Sequence, residues 1–279
     1  MTGDKNSGSL LWKIVLALCL LIVAGCVIFI WIVKRNEQEA RTAYEEVRRT
    51  ETETSGCLSD DIQAETDSGE SQSSAAVAEE TVQSEPAEEI PVDFGELQAI
   101  NPDVYAWITV PGTKVDYPIA QRAGDREFYL HHNINGAYEF AGMIYTEDYN
   151  TTDFTDANTV IYGHNMHNDT MFTTLHYFED RDFFDQHSEV IIYTPDDVLH
   201  YTIFAAYAYD SRHLMQSFDF SDPEVFDAYL DQVFAIRDMT AYFRDGVTVT
   251  AEDKIITLST CFDGRDDERY LIQAVLTDE

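Results

Sequence analysis

Cysteine is scarce in this chain and badly placed for cross-linking. Of the four in 279 residues, Cys19 and Cys26 lie in an apolar run and Cys57 in a polar stretch, so only Cys261 belongs to the part with the composition of a folded domain. That domain therefore does not depend on disulfides, and its single thiol is either a buried inert group or a working one. Lys and Arg are also few, 17 against 52 Asp and Glu, for a net charge of −35. From Phe94 onward the counts are 10 basic and 34 acidic, which argues against binding nucleic acid or an anionic lipid surface. No internal repeat is evident, and there is no alternation of strands with helices of the kind that builds parallel α/β sheets.

Long hydrophobic runs are missing except for one. Residues 14–33 are apolar throughout, and at a rise of about 1.5 Å per residue they match a hydrocarbon core of roughly 30 Å. A cleaved signal peptide is the rival reading, and Val23-Ala24-Gly25-Cys26 resembles a lipoprotein cleavage box. The run continues from Val27 to Val33 beyond that cysteine, which favours an uncleaved transmembrane helix. Lys5 and Lys13 precede it, whereas Lys34, Arg35, Arg41, Arg48 and Arg49 follow, so charge alone puts the C-terminal side in the cytoplasm.

Residues 37–49 read as a charged juxtamembrane helix. Between Glu51 and Asp93 there are 13 acidic residues and no Lys or Arg, in a Ser, Thr, Ala and Glu-rich setting that cannot bury enough apolar surface to fold. The expected organisation is a membrane anchor at 1–35, a juxtamembrane helix and disordered acidic spacer at 36–93, and a folded domain at 94–279.

From Phe94 the pattern changes to short β-rich runs punctuated by turn residues. A short helix is predicted over 94–100, and strands over 105–110, 115–120, 142–146, 159–162, 189–194, 198–209, 254–260 and 269–276. Eight such strands predict a mostly β domain, an antiparallel barrel or sandwich with accessory helices. Helices are predicted over 170–178 and 223–239. The second carries Val225, Phe226, Tyr229, Leu230, Val233, Phe234 and Ile236 at helical spacing, with Asp222 as N-cap and Pro223 at its first position.

Three side chains stand at the ends of apolar strands. Cys261 closes Ile255-Ile256-Thr257-Leu258-Ser259-Thr260, His164 follows Val160-Ile161-Tyr162-Gly163, and Arg269 opens the last strand. A thiol, an imidazole and a permanent guanidinium are the groups an acyl-transferring thiol enzyme needs. A thiolate attacks a carbonyl, the imidazole protonates the departing amine, and the guanidinium holds the oxyanion. Arg265 is the competing cation, but it sits in the polar run Asp263-Gly264-Arg265-Asp266-Asp267, read here as a loop. A metal site is disfavoured. His164 with His167, and the adjacent His131 and His132, lack a supporting ligand set, and Asp148, Asn150, Asp153 and Asp156 lack the glycine and terminal glutamate of a calcium loop.

With those residues placed, the domain resembles the sortases, the cysteine transpeptidases of Gram-positive cell surfaces, and class B in particular. Thr257-Leu258-Ser259-Thr260-Cys261 resembles the family's TLxTC motif, Tyr162-Gly163-His164-Asn165 its histidine motif, and Arg269 the arginine heading its last strand. Ile100-Asn101-Pro102-Asp103, Trp107-Ile108 and Pro111-Gly112-Thr113 resemble its opening strand and turn, and the long helix between late strands resembles the class B insertion. The resemblance implies an eight-stranded sortase barrel with Cys261 as nucleophile, His164 as general acid and base, and Arg269 stabilising the oxyanion or positioning the peptide. Ser259 and Thr260 fall on motif positions that line the substrate groove. It also implies cleavage of a C-terminal sorting signal on a surface protein, transfer to an amine of a peptidoglycan precursor or pilin, and no cofactor. Such chemistry belongs outside the cell, so the domain is expected to be extracellular against the charge count. Two alternatives stay open at this level: a surface cysteine peptidase with water as acceptor, and a membrane-anchored peptide-binding module without turnover.

Overall fold

A computed structural model describes residues 89–262 and 264–277, together with Leu16 and Ala24. The chain divides into two compact units, Met1–Arg48 and Arg49–Glu279, and the architecture below is that of the second. The predicted anchor, juxtamembrane helix and acidic spacer lie almost wholly outside the described residues, among which no helix is long and apolar enough to cross a membrane.

All eight predicted strands form. They are β1 (Val104–Thr109), β2 (Asp116–Ala120), β3 (Ile144–Thr146), β4 (Asn158–Tyr162), β5 (Glu189–Tyr193), β6 (Val198–Asp210), β8 (Ile255–Phe262) and β9 (Arg265–Leu276), joined by a two-residue β7 (Tyr242–Phe243) that the sequence did not signal. The sheet runs β5-β1-β2-β3-β4-β8-β9-β6-β7, and β5 also pairs with β6. That extra pairing closes eight strands into a barrel. β6 is long enough to pair with β5 through its first residues and with β7 through Ala205 and Ala206 further on. Closure leaves no open edge between β5 and β6.

Two contacts are parallel, β2 with β3 and β4 with β8, and the other pairs are antiparallel. The alternation of side chains along β8 sorts them into two sets. Ile256 and Leu258 enter the barrel interior with Ile108, Ile161, Phe172, Tyr201 and Ile272. Ile255 joins an outer cluster with Val160, Phe204, Tyr207 and Leu271.

The outer cluster is covered by helix. After α1 (Phe94–Ile100), α2 (Arg181–Gln186) and α3 (Leu214–Ser217), α4 (Pro223–Phe234) presents Phe226, Tyr229, Leu230 and Val233 to it. Burying each such side chain stabilises by about 1.5–3 kcal/mol relative to leaving it in water. Asp222 caps α4 by accepting from Glu224 N at 2.9 Å, with Pro223 in the first turn, as predicted. The helix stops at Phe234, short of the expected 239, because the Arg237 guanidinium folds back onto the Phe234 and Ile236 carbonyls at 2.7 and 2.8 Å. The segment predicted as helix 170–178 is a 3-10 helix over Thr173–Glu179, followed directly by α2.

Candidate active site

β4 and β8 run parallel with Tyr162 opposite Ser259, so their C-terminal ends leave the barrel at one rim. One further step along, Gly163 N donates to the Ser259 carbonyl at 3.1 Å. His164 comes next on one strand and Cys261 lies two residues beyond Ser259 on the other. Asn165 Nδ2 then donates to the Cys261 carbonyl at 3.1 Å. The residues flanking His164 are thus both tied to β8, one on each side of Thr260. On the opposite side of β8, Cys261 pairs directly with Arg269 of β9. The structure brings the three predicted residues to adjacent positions at one end of the sheet.

Gly163 is required by packing. A Cβ there would sit 2.6 Å from Ile144 Cδ1 and from the Phe172 ring, so any side chain would push the His164 segment away from β8. His164 Nε2 lies 2.8 Å from the Leu130 carbonyl. A carbonyl only accepts, so Nε2 carries the hydrogen and Nδ1 is the lone-pair nitrogen of the neutral ring. The ring is flanked by His131 and Phe140, with centroids at 5.5 and 5.2 Å. Burial lowers its pKa below 6.5, His131 adds to that, and the Leu130 carbonyl opposes it. Cys261 is half-buried and in no disulfide.

Arg269 Nη1 donates to the Glu268 carbonyl at 2.9 Å. Arg265 lies elsewhere: it opens β9 opposite Phe262, pairs with Glu268 at 2.6 Å and covers the Phe262 ring at 3.6 Å. It is therefore a strand residue and not a loop residue, and the turn before it is tight, with Gly264 at φ 71°. Ser259 falls on the same face of β8 as Cys261, whereas Thr260 falls on the interior-facing set and is buried at 2% exposure.

Tyr145, Glu147, His176 and His213 were not singled out by the sequence. Tyr145 and Tyr162 stack at 5.4 Å on neighbouring strands. Burial pushes the Tyr145 phenol well above its ordinary range, and Glu147, Glu127 and Cys261 add to the shift. Glu147, itself buried, lies 2.7 Å from His213 Nε2, which links the end of β3 to the insertion that carries α4. His176 Nε2 lies 3.0 Å from the Cys261 carbonyl. Of the Asp148, Asn150, Asp153 and Asp156 cluster, Asp156 accepts from Asn150 Nδ2 at 3.0 Å and Thr151 N at 2.7 Å, whereas Asp148 accepts from Gly124 N at 2.9 Å.

The family described as "Sortase domain" matches residues 108–277, more than half of the chain. The chain belongs to the sortase family. A sortase B of Listeria monocytogenes is 35% identical over 190 residues, which cover 67% of this chain and 75% of the relative. The crystal structure of Clostridium perfringens sortase B superposes with a TM-score of 0.60 at 34% identity, covering 67% of this chain and 100% of that one. A sortase B–substrate complex of Staphylococcus aureus superposes at 0.58 with 26% identity, covering 66% and 84%. The protein is a class B sortase, a cysteine transpeptidase, and its closed barrel with accessory helices is the sortase fold.

Proposed function

We propose that this class B sortase uses Cys261 as nucleophile, His164 as general acid and base, and Arg269 as the oxyanion and peptide-backbone donor, to cleave a sorting signal and pass the acyl group to an amine. The Cys261 thiol gives its proton to the lone-pair nitrogen of His164, its sulfur bonds to the scissile carbonyl carbon, the C–N bond breaks, and the imidazolium delivers that proton to the departing amine. An incoming amine then gives a proton to the ring and displaces sulfur from the thioester. The observation that carries this reading is the register at the rim, with Cys261 opposite Arg269 on β9 and His164 held between two bonds to β8. Ser259 shapes the groove from the face it shares with the thiol, and Thr260 from beneath.

The substrate class is a C-terminal sorting signal of a surface protein, supported by the substrate-bound Staphylococcus aureus relative. The acceptor is an amine of a peptidoglycan precursor or pilin. We place the chain in the cell membrane through residues 14–33, with the catalytic domain outside, since the substrate and acceptor of such a reaction are found there.

The test is acylation of the full chain by a library of sorting-type pentapeptides, read by intact mass, with and without a peptide amine. A thioester on Cys261 that disappears when amine is added supports transpeptidation, and discharge unaffected by amine supports hydrolysis instead. Cys261→Ala must abolish the adduct. Arg269→Lys keeps the charge but loses the fork and should cost about 10²–10³ in turnover, as loss of an oxyanion donor does. Peptide cleavage by the Cys261→Ala chain would sink the assignment.

A further inference from the structure

Two side chains outside this machinery converge on the backbone of Cys261. β4 ends at Tyr162, and β8 and β9 shift register between Cys261 and Phe262, so the Cys261 carbonyl lies past the regular parallel ladder. It accepts from Asn165 Nδ2 at 3.1 Å, and His176 Nε2 lies 3.0 Å from it and 3.2 Å from the same Asn165 Nδ2. His176 belongs to the 3-10 helix Thr173–Glu179, and the Glu179 carboxylate bonds its Nδ1. The ring stacks on Tyr270, with centroids 5.1 Å apart and planes at 19°, and packs against Phe262 at 5.2 Å. A carboxylate oxygen fixes the hydrogen on Nδ1, which leaves the Nε2 lone pair to accept from the Asn165 amide at 3.2 Å.

We propose that His176, oriented by Glu179, is a positioning residue for acyl transfer: with Asn165 it pins the Cys261 carbonyl and so fixes the thiol against the His164 ring. The inference rests on the roles of Cys261 and His164 given above. Asn165 is the residue after His164, so its bond alone ties sulfur to imidazole through one side-chain amide. His176 braces that amide from a different element, so its bond holds the strand end on the side where the ladder with β4 has already stopped. A displacement of about 1 Å between reacting groups costs up to about 10²-fold in rate, so small drift at this point is expensive. A stabilising role alone accounts poorly for the arrangement, because an ion pair whose carboxylate is 42% exposed contributes little.

The test uses the full chain and a peptide that the parent acylates. His176→Phe keeps a ring against Tyr270 and removes both ring nitrogens. Expected is a kcat about ten- to hundredfold lower with KM within about twofold and the urea midpoint unchanged, with His176→Gln, which returns an acceptor for the Asn165 amide, recovering most of the loss. The proposal is overturned if kcat stays within about twofold, if the loss appears in KM, or if glutamine gives no recovery. Should His176→Phe fail to fold, Glu179→Gln decides, since it leaves the ring and its packing in place: kcat must fall at constant KM, and an unchanged kcat refutes the role. A parent chain that forms no adduct on Cys261 would instead overturn the functional reading itself.

Discussion

His164 is held by opposing demands. Its ring is largely removed from water, which disfavours the charged form, while its Nε2 hydrogen is fixed on the Leu130 carbonyl. In the unfolded chain the same ring takes up a proton near its ordinary pKa of 6.5, and in the fold it does so only at lower pH. The unfolded state therefore binds more protons in that window, and stability falls as pH drops below 6.5 toward the folded value. Urea midpoints measured across that range should decline for the parent and decline less for His164→Gln; parallel curves would count against the buried-ring account. The convergence of Cys261, His164 and Arg269 at one rim was legible because each ends or begins an apolar strand, where the side chain has little to do inside a core. Asn165 was visible only as the last residue of the histidine motif and His176 not at all, since the Cys261 carbonyl they meet lies 96 and 85 residues away along the chain.

At the scale of elements, α4 is locked to the barrel by a buried polar chain as well as by apolar packing. Gln273 of β9 donates to Tyr229 of α4 at 2.8 Å and to Thr257 of β8 at 3.0 Å, and accepts from Tyr207 of β6 at 3.1 Å. Thr257 in turn donates to Asn158 of β4 at 2.9 Å. Gln273→Leu removes the hub and strands its partners, at roughly 1–3 kcal/mol for each group left unsatisfied. Equilibrium urea unfolding should register that loss, and a change below about 0.5 kcal/mol would mean that the partners re-pair. The eight main strands were readable from β-branched runs, and α4 from Asp222, Pro223 and its apolar spacing. The missed pieces have a common cause. β7 is two residues held by β6, and the polar start of β9 is a strand because Asp210 and Phe262 pair with Glu268 and Arg265 through backbone, whatever the side chains are.

Across the whole molecule the surplus of carboxylates opposes compaction. With 34 acidic and 10 basic residues from Phe94 onward, like charges repel over distances that salt shortens to about 10 Å at 0.1 M. Raising sodium chloride from low to moderate concentration should increase the urea midpoint, and a fall would show that specific ion pairs outweigh the general repulsion. The pairing of β4 with β8 has another consequence. Those two parallel strands are joined through everything from the 3-10 helix to α4, and β9 must still arrive to pair with both β8 and β6 before the ring of strands is complete. Non-local closure of this kind is slow, and nothing shorter than nearly the whole domain holds sulfur, imidazole and guanidinium together. On the roles proposed for Cys261, His164 and Arg269, a nascent or partly unravelled copy is expected to be inactive until the last strand is in place.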